Sequence, residues 1–202
     1  MLLLLAGSTV AGSRPMIAYV TVMHLTGAEA GMISVSPARS AEDFETMAGL
    51  CRKLAQWDVD AVQPYGVSEE DVRTIFHPER SGSSLAAKFG APDAMAFIAR
   101  SENLPAGCLA FDQFDDHTAE IHKFFVDASF RGKGIGRALM GAALAEIRKG
   151  RIRTVLIHTT FYMKNAIAVY ESFGFRPCPP FRETPEPVRH TDIFMSCSIS
   201  PA

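Results

Sequence analysis

The sequence predicts a mixed α/β fold in which helices flank one central sheet. Three observations support this prediction. The 202 residues suffice for one domain with a substantial core, and segments of strand character dominate the middle of the chain. A strand, a glycine-rich turn, a helix, a strand and a second helix follow one another over residues 118–174. The two strands that flank the first of these helices are expected to be parallel, because a crossover helix connects them.

The composition is that of a folded globular protein. The chain is 48% hydrophobic and 21% charged, with a formal net charge of −2. This apolar content can offset the loss of chain entropy, which excludes a largely disordered chain, and the near-neutral charge argues against a broad nucleic-acid-binding surface. The 4 cysteines are far apart and form no Cys-x-x-Cys pair. We therefore expect free thiols, no metal site and a cytoplasmic protein.

The first 31 residues are predicted to form a poorly structured leader before a folded domain at residues 32–202. Four leucines at residues 2–5 open the chain, and the first basic residue is Arg14. The apolar run is too short to span a membrane and lacks the charged start of a secretory signal. We therefore expect no membrane association, and Met32 as the functional start.

The first elements of the domain are a strand and two helices. Residues 33–36 alternate between apolar and polar types, which indicates a short strand. Ser40 is predicted to begin a helix, with Asp43 as its capping-box partner and an apolar face that extends to Trp57. Ser68 is predicted to begin a second, shorter helix.

The middle of the domain is predicted to be mainly strand. The serine-rich stretch at residues 81–84 indicates a loop. Residues 94–99 and 106–111 are predicted to pair as an antiparallel hairpin, and residues 118–126 form the longest predicted strand.

The last third of the domain returns to alternating helices and strands. A helix is predicted to start at Gly134 or Gly136 and to end near Gly150, because Ile135, Leu139, Ala143 and Ile147 share one face. Three further elements follow: a buried strand at 154–159, a helix at 164–172 and a strand starting at Phe175. The proline-rich stretch at 177–187 is expected to be irregular, before a closing strand at 192–199.

The glycine-rich turn at residues 131–137 reads Arg-Gly-Lys-Gly-Ile-Gly-Arg. Glycine at every second position lets the backbone approach a ligand, and a helix N-terminus together with three basic side chains adds positive charge. This combination favours a phosphate-bearing ligand, although such turns also occur without one. The spacing fits neither the dinucleotide fingerprint nor the nucleotide P-loop, which argues against NAD and ATP.

The same turn carries a family resemblance. Residues 131–136 follow the pattern Arg-x-x-Gly-x-Gly after a strand that ends in Phe-Phe-Val, and this resembles the pyrophosphate-binding motif of the GNAT superfamily of acyl-CoA N-acyltransferases. Residues 166–175 are similar to the alanine, tyrosine and Gly-Phe signature of that superfamily. Glu120 stands at a strand position where many members carry a catalytic glutamate. The resemblance is specific over residues 118–175 and weaker over 33–199.

The resemblance implies both the sheet and the co-substrate. The implied sheet has about six to seven strands, mixed but mostly antiparallel, with helices on its flanks and a splayed parallel strand pair at the coenzyme A site. Acetyl-CoA is the implied co-substrate. Many members have an asparagine three residues before the first alanine of the signature, where this chain has Met163, with Asn165 beside the alanine instead. The implied cofactor-binding residues are Phe125, Val126, Arg131, Gly132, Lys133, Gly134, Ile135, Gly136, Arg137 and Asn165.

The implied activity is an N-acetyltransferase that moves an acetyl group from acetyl-CoA to a primary amine by direct attack in a ternary complex. Glu120 is the candidate base, and His122 and His158 remain alternatives because imidazole titrates near neutral pH. Tyr170 is the acid for the coenzyme A sulfur that the resemblance implies, since a phenol is neutral at pH 7, and a core aromatic residue is the alternative. The backbone N–H of Val126 is the implied oxyanion donor.

The acceptor is expected to be a small-molecule amine or an amine of a protein. The first two helices and the loop at residues 177–187 are expected to select it, because they can vary around a fixed cofactor site. A homodimer is compatible with these expectations. Two other functions stay open at this point: a non-catalytic coenzyme A-binding or sensor domain, and a nucleotide-binding regulatory module.

Overall fold

A single sheet organises the computed structural model, which describes residues 20–21, 32–77 and 81–200. Its strands lie in the order β1-β2-β3-β4-β5-β6-β8-β7, and among these described strands only β5 and β6 run parallel, which confirms the predicted mixed, mostly antiparallel sheet. Apart from β1, the predicted leader lies outside the described residues. The strands are β1 Val20–Thr21, β2 Ile33–Pro37, β3 Ala94–Ser101, β4 Leu104–Asp115, β5 Thr118–Val126, β6 Thr154–Thr160, β7 Arg176–Pro177 and β8 Asp192–Ser198.

Four of the helices begin close to the positions that the sequence predicts. The side chain of Ser40 accepts a hydrogen bond from the backbone N–H of Asp43, and the Asp43 carboxylate accepts one from the Ser40 N–H at 3.1 Å, which completes the capping box. Within the described ranges, no helix is both long enough and apolar enough to cross a membrane. The helices are α1 Ala41–Val62, α2 Glu69–Asp71, α3 Gly82–Phe89, α4 Ile135–Ile147, α5 Lys164–Ser172 and α6 Glu186–Arg189.

Helices cover both faces of the sheet. On one face, Leu139 and Ile147 of α4 pack with Ile121 of β5 and Ile157 of β6. All four residues of the predicted α4 stripe are buried, which confirms that face. On the other face, residues of α1 and α3 pack against Ile98 of β3 and against β4. The burial of apolar side chains on both faces holds the central strands in place.

The prediction of a loop at residues 81–84 is wrong, because these residues begin helix α3. The hydroxyl of Ser81 accepts a hydrogen bond from the Ser84 N–H, so the serine serves as an N-cap. Leu85 and Phe89, one helical turn apart, are almost fully buried against α1 and the sheet. Serine and glycine have weak helix propensity, and tertiary packing outweighs that preference here.

Strands β5 and β6 separate before either strand ends. Their parallel pairing runs only from Thr118 opposite Thr154 to Ile121 opposite Ile157, although β5 continues to Val126 and β6 to Thr160. Beyond Ile121, the register of β5 against β4 shifts, and Lys123 takes a left-handed conformation with φ of 53°. Such a bulge bends a strand, and here it accompanies the opening between the two parallel strands.

Gly107 of β4 lies opposite Val126, beside this bulge. A Cβ atom at residue 107 would lie 2.6 Å from the backbone oxygen of Phe125, which a real side chain does not tolerate. We expect Gly107→Ala to lower the free energy of unfolding by about 1–3 kcal/mol, because β5 must shift to relieve the clash. Urea denaturation followed by circular dichroism measures this change.

Gly141 lies in the interior of helix α4, and a Cβ atom at this position would meet nothing within 4 Å. It therefore provides the matched control. Gly141→Ala is expected to raise the free energy of unfolding by about 0.5–1 kcal/mol, because alanine favours the helix over glycine. A Gly107→Ala protein as stable as the wild type would contradict the close approach of β4 and β5.

Candidate active site

The opening between β5 and β6 leads into a cavity of about 520 Å³. Its lining comes from the bulged half of β5, the free end of β6, the C-terminal half of α1, the segment 74–77 and the loop at 182–185. Glu120, His122, His158 and Tyr170 all line it. The structure therefore brings both predicted catalytic residues, and both alternative bases, to one cavity.

Glu120 occupies a central position in the sheet, paired with Asp112 of β4 and Leu156 of β6. It is only 3% exposed. The guanidinium of Arg182 donates a hydrogen bond to its Oε2 atom, and the Nε2 atom of His122 lies 3.8 Å from the same oxygen. A buried carboxylate needs such a partner, because an isolated charge inside a protein is costly.

Each of the two cavity histidines contacts the carboxylate of an aspartate. His122 Nε2 lies 2.7 Å from Asp112 Oδ1. Burial favours the neutral form of Asp112, but the hydrogen bond and charge of His122, with nearby cations, outweigh it and lower the pKa of the carboxyl group. His158 Nε2 lies 2.8 Å from Asp192 Oδ1, and the His158 ring stacks on Phe194. These contacts fix the orientation of both imidazole rings.

Tyr170 reaches the cavity from α5 and is 4% exposed. Its ring lies 5.4 Å from that of Phe124 and 6.1 Å from that of Phe175, measured between centroids. Burial raises the pKa of Tyr170 well above its ordinary value, and a hydrogen bond with Thr159 offsets only part of that shift. Tyr170 is therefore a core aromatic residue and a cavity residue at the same time, and its phenol stays neutral.

The glycine-rich turn exposes its backbone. Gly132 and Gly134 have φ values of 77° and 82°, and a Cβ atom at either position would meet nothing within 4 Å. Gly134 is the N-cap of α4, and its carbonyl oxygen accepts the first helical hydrogen bond from Ala138 at 3.0 Å. The N–H groups of the first helical turn have no acceptor inside the helix, so they are available to an anion.

Basic side chains attach this turn to its surroundings. Arg131 Nε donates to the carbonyl oxygen of Val126 at 3.1 Å, and Arg137 Nη1 donates to Ser172 Oγ at 2.9 Å. Lys133 Nζ lies 5.6 Å from the centre of the Phe130 ring. The three cations therefore surround the turn without filling the space beside its glycines.

The turn and the cavity are adjacent but distinct. Among the described residues, the cavity lining includes Phe124 but neither the turn at 131–137 nor Asn165, which is exposed at the start of α5. The Phe124 ring connects the two features, since a Cβ atom on Gly136 would lie 3.0 Å from it. A ligand long enough to contact the turn could therefore extend along Phe124 into the cavity.

The backbone of Val126 faces the opening. The N–H of Asp127 donates to Ala106 on the β4 side at 2.9 Å. Successive residues of a strand present their polar groups to opposite edges, so the N–H and carbonyl of Val126 point away from β4. The contact between Arg131 and the Val126 carbonyl agrees with this orientation.

Sequence reasoning missed a buried polar cluster on the opposite wall. Asp58 of α1 is fully buried, its Oδ2 lies 3.0 Å from His77 Nε2, and its Oδ1 accepts a hydrogen bond from Tyr162 at 2.7 Å. Burial and the charge of Asp58 raise the pKa of Tyr162 well above its ordinary range. The position of Asp58, between the buried Ala55 and Val59, was the available signal.

Sequence reasoning also missed Arg182, which lies in the proline-rich loop and meets Glu120 only through the folding of the chain. No local pattern in that loop indicates the pairing. In the part of the chain that the structure describes, no group of three or more histidine, cysteine or acidic side chains could hold a metal ion. Cys51, Cys108, Cys178 and Cys197 are all present as reduced cysteines.

Comparisons with known proteins agree with this architecture. The model of the acetyltransferase (GNAT) family matches residues 54–175. An uncharacterised N-acetyltransferase of Methanocaldococcus jannaschii is 44% identical over 57 residues, which are 28% of this chain and 25% of that protein. An IAA acetyltransferase of Azospirillum brasilense is 32% identical over 92 residues, which are 45% of this chain and 60% of that protein. The chain thus spans less than two thirds of the length of either relative.

Solved structures share the fold. The PaiA N-acetyltransferase of Thermoplasma acidophilum, determined in complex with coenzyme A, superposes with a TM-score of 0.65 at 18% identity, over 83% of this chain and 99% of that one. The family match covers more than half of the sequence and includes the turn, the splayed strands and Tyr170. The chain therefore belongs to the GNAT acetyltransferase family.

The buried phenol of Tyr170 leads to a prediction about its titration. In the folded protein its pKa lies well above the ordinary value of 10.0. An alkaline titration of phenolate absorbance on the folded protein should therefore be the same for Tyr170→Phe and for the wild type. In urea, the variant should lose about one quarter of the signal, because the chain has 4 tyrosines.

The same shift makes stability depend on pH. The phenol ionises in the unfolded chain near its ordinary value of 10.0 but stays neutral in the folded one. The contribution of this pKa difference to the free energy of unfolding is fully present below that pH and declines as the pH rises above it. A smaller decline in Tyr170→Phe than in the wild type is expected, and an equal decline would contradict the assignment.

Proposed function

We propose that the protein transfers an acetyl group from acetyl-CoA to a primary amine. The observation that carries this proposal is the placement of Glu120 and Tyr170 in one cavity, at the point where β5 and β6 separate, next to a turn with exposed backbone. A proton acceptor, a proton donor and an anion-binding turn are the three elements that such a transfer needs.

The turn and its neighbours would hold the co-substrate, and the empty space beside Gly132 and Gly134 fits a diphosphate against the N-terminus of α4. The edge of β5 would pair with the amides of the pantetheine arm, since its ladder with β6 ends at Ile121. The thioester supplies an activated acetyl group. The residues that we assign to this binding are Phe125, Val126, Arg131, Gly132, Lys133, Gly134, Ile135, Gly136, Arg137 and Asn165.

Glu120 accepts the proton that the acceptor ammonium must lose before its nitrogen can attack, either directly or through water. Arg182 and His122 both approach Oε2 of this carboxylate, so we assign the proton transfer to Oε1. His122 and His158 are the alternative bases, and each is already oriented by an aspartate. The N–H of Val126 donates to the acetyl oxygen as negative charge develops on it.

Tyr170 supplies the proton to the departing thiolate. The phenol is protonated at neutral pH, and helix α5 holds it in the wall of the cavity. Transfer is direct, because no cysteine among the described residues lines the cavity. The acceptor is an amine of a small molecule or of a protein.

Release of free coenzyme A thiol from acetyl-CoA, measured with a panel of amines, tests the activity. We expect Tyr170→Phe to bind acetyl-CoA as the wild type does but to lower kcat by roughly 10²–10⁴-fold, since one general acid is lost. Tyr65→Phe, which removes a phenol outside the cavity, is the control. If Tyr170→Phe had the kcat of the wild type, Tyr170 would have a purely structural role.

The turn can be tested by binding alone. Gly134→Asp places a negative charge where the diphosphate is proposed to lie, and we expect it to weaken acetyl-CoA binding at least about tenfold in calorimetry, because like charges repel. Gly141→Asp adds the same charge to the same helix, beyond the first turn, and should bind normally. If the two variants bound acetyl-CoA with equal affinity, the turn would not be part of the binding site.

A further inference from the structure

Arg182 is the side chain that closes the cavity over Glu120. It lies in the loop between β7 and α6, and its guanidinium donates to the buried carboxylate. The ring of Phe181 lies 5.1 Å from the guanidinium carbon, and the ring of Phe114 lies 5.8 Å from it. The Arg182 side chain is 37% exposed and that of Glu120 only 4%, so the pair extends from solvent to the floor of the cavity.

This ion pair restricts the charge of an incoming acceptor. An ammonium ion that approaches Oε1 of Glu120 must share the carboxylate with Arg182, whose guanidinium contacts Oε2. A simple amine would add a second positive charge beside the guanidinium, with one carboxylate to balance both in a partly buried site, which is unfavourable. An acceptor that carries both an ammonium group and a carboxylate provides a partner for each member of the pair, because its ammonium contacts Glu120 while its carboxylate contacts Arg182.

The rest of the cavity is consistent with a zwitterion. Its described lining contains three carboxylates, three lysine or arginine side chains that balance their charge, and three histidines. A cavity for a polycation would instead show an excess of negative charge. The carboxylates are those of Asp58, Glu120 and Glu183, the lysine and arginine side chains are those of Lys88, Lys123 and Arg182, and the histidines are His77, His122 and His158.

The guanidinium also has the right chemistry for this ligand. Its planar fork of N–H donors matches a carboxylate in a two-point contact, and the aromatic rings around it limit its freedom. The loop that carries Arg182 is anchored near this position, since Arg189 donates to the carbonyl of Thr184 at 2.9 Å and Thr184 donates to Asp192. The loop therefore holds Arg182, the group that would bind the carboxylate of the acceptor, in place before the acceptor binds.

We propose that the acceptor is a free amino acid, bound with its ammonium group at Glu120 and its carboxylate at Arg182. This inference rests on the proposed acetyltransferase activity and names its class of acceptor. It excludes the N-terminus of a peptide, whose first residue has an amide in place of the carboxylate.

The experiment compares three forms of each acceptor: the amino acid, its amide and the corresponding decarboxylated amine. We expect the kcat/KM of the amino acid to exceed that of the amide by roughly 10- to 100-fold, the value of a hydrogen bond between charged groups. An α-amino amide has the less basic nitrogen, so amine reactivity alone would favour the amide. Amino acids with several different side chains should be tested, because the ion pair of Glu120 and Arg182 does not distinguish among them.

Arg182→Gln is the decisive variant. It should abolish the preference for the amino acid over its amide, whereas Arg182→Lys should keep part of it. Arg176→Gln, which removes an exposed arginine outside the cavity, should leave the preference unchanged. The ratio of the two kcat/KM values within one protein sample does not depend on how much of that sample is folded.

Each outcome decides the proposal. A preference for amino acids that disappears in Arg182→Gln supports it. Equal turnover of amino acid and amide in the wild type, or a preference that survives in Arg182→Gln, overturns the assignment of the acceptor and leaves the acetyltransferase activity standing. Acetyl-CoA binding without thiol release on any amine overturns both.

Discussion

The separation of β5 from β6 after Ile121 is the feature on which the candidate site depends. Paired strands would bury the edge of β5 in hydrogen bonds, and no room would remain between them for a ligand. The bulge at Lys123 bends β5 away from the parallel register that Thr118 to Ile121 establish. Gly107 allows β4 to follow that bend closely, since any larger residue would meet the Phe125 carbonyl. A local irregularity in one strand thus produces the cavity.

The cavity is lined by ionisable groups that hold one another. Glu120 contacts Arg182, His122 contacts Asp112, and Asp58 contacts both His77 and Tyr162. Each contact reduces the cost of burying a charge, and together they fix the side chains in defined orientations. An active site needs this order, because proton transfer depends strongly on the distance between donor and acceptor.

Most of the fold could be predicted from the sequence, and the reasons differ among elements. The α4 stripe and the capping box at Ser40 are local patterns, and the structure confirms both. Helix α3 was missed because its start is rich in residues of weak helix propensity, and its stability comes from the burial of Leu85 and Phe89. The placement of Arg182 beside Glu120 could not be predicted, because it depends on contacts between residues distant in sequence.

The order of the strands also determines when the site can form during synthesis. β8 is the last strand along the described chain, yet it lies between β6 and β7 inside the sheet. Until it is added, the edge of β6 is open and His158 lacks both Asp192 and Phe194. A nascent chain whose β8 segment has not yet emerged from the ribosome therefore has an exposed strand edge, which favours contact with chaperones or other nascent chains. The lining of the cavity is therefore complete only after β8 has joined the sheet.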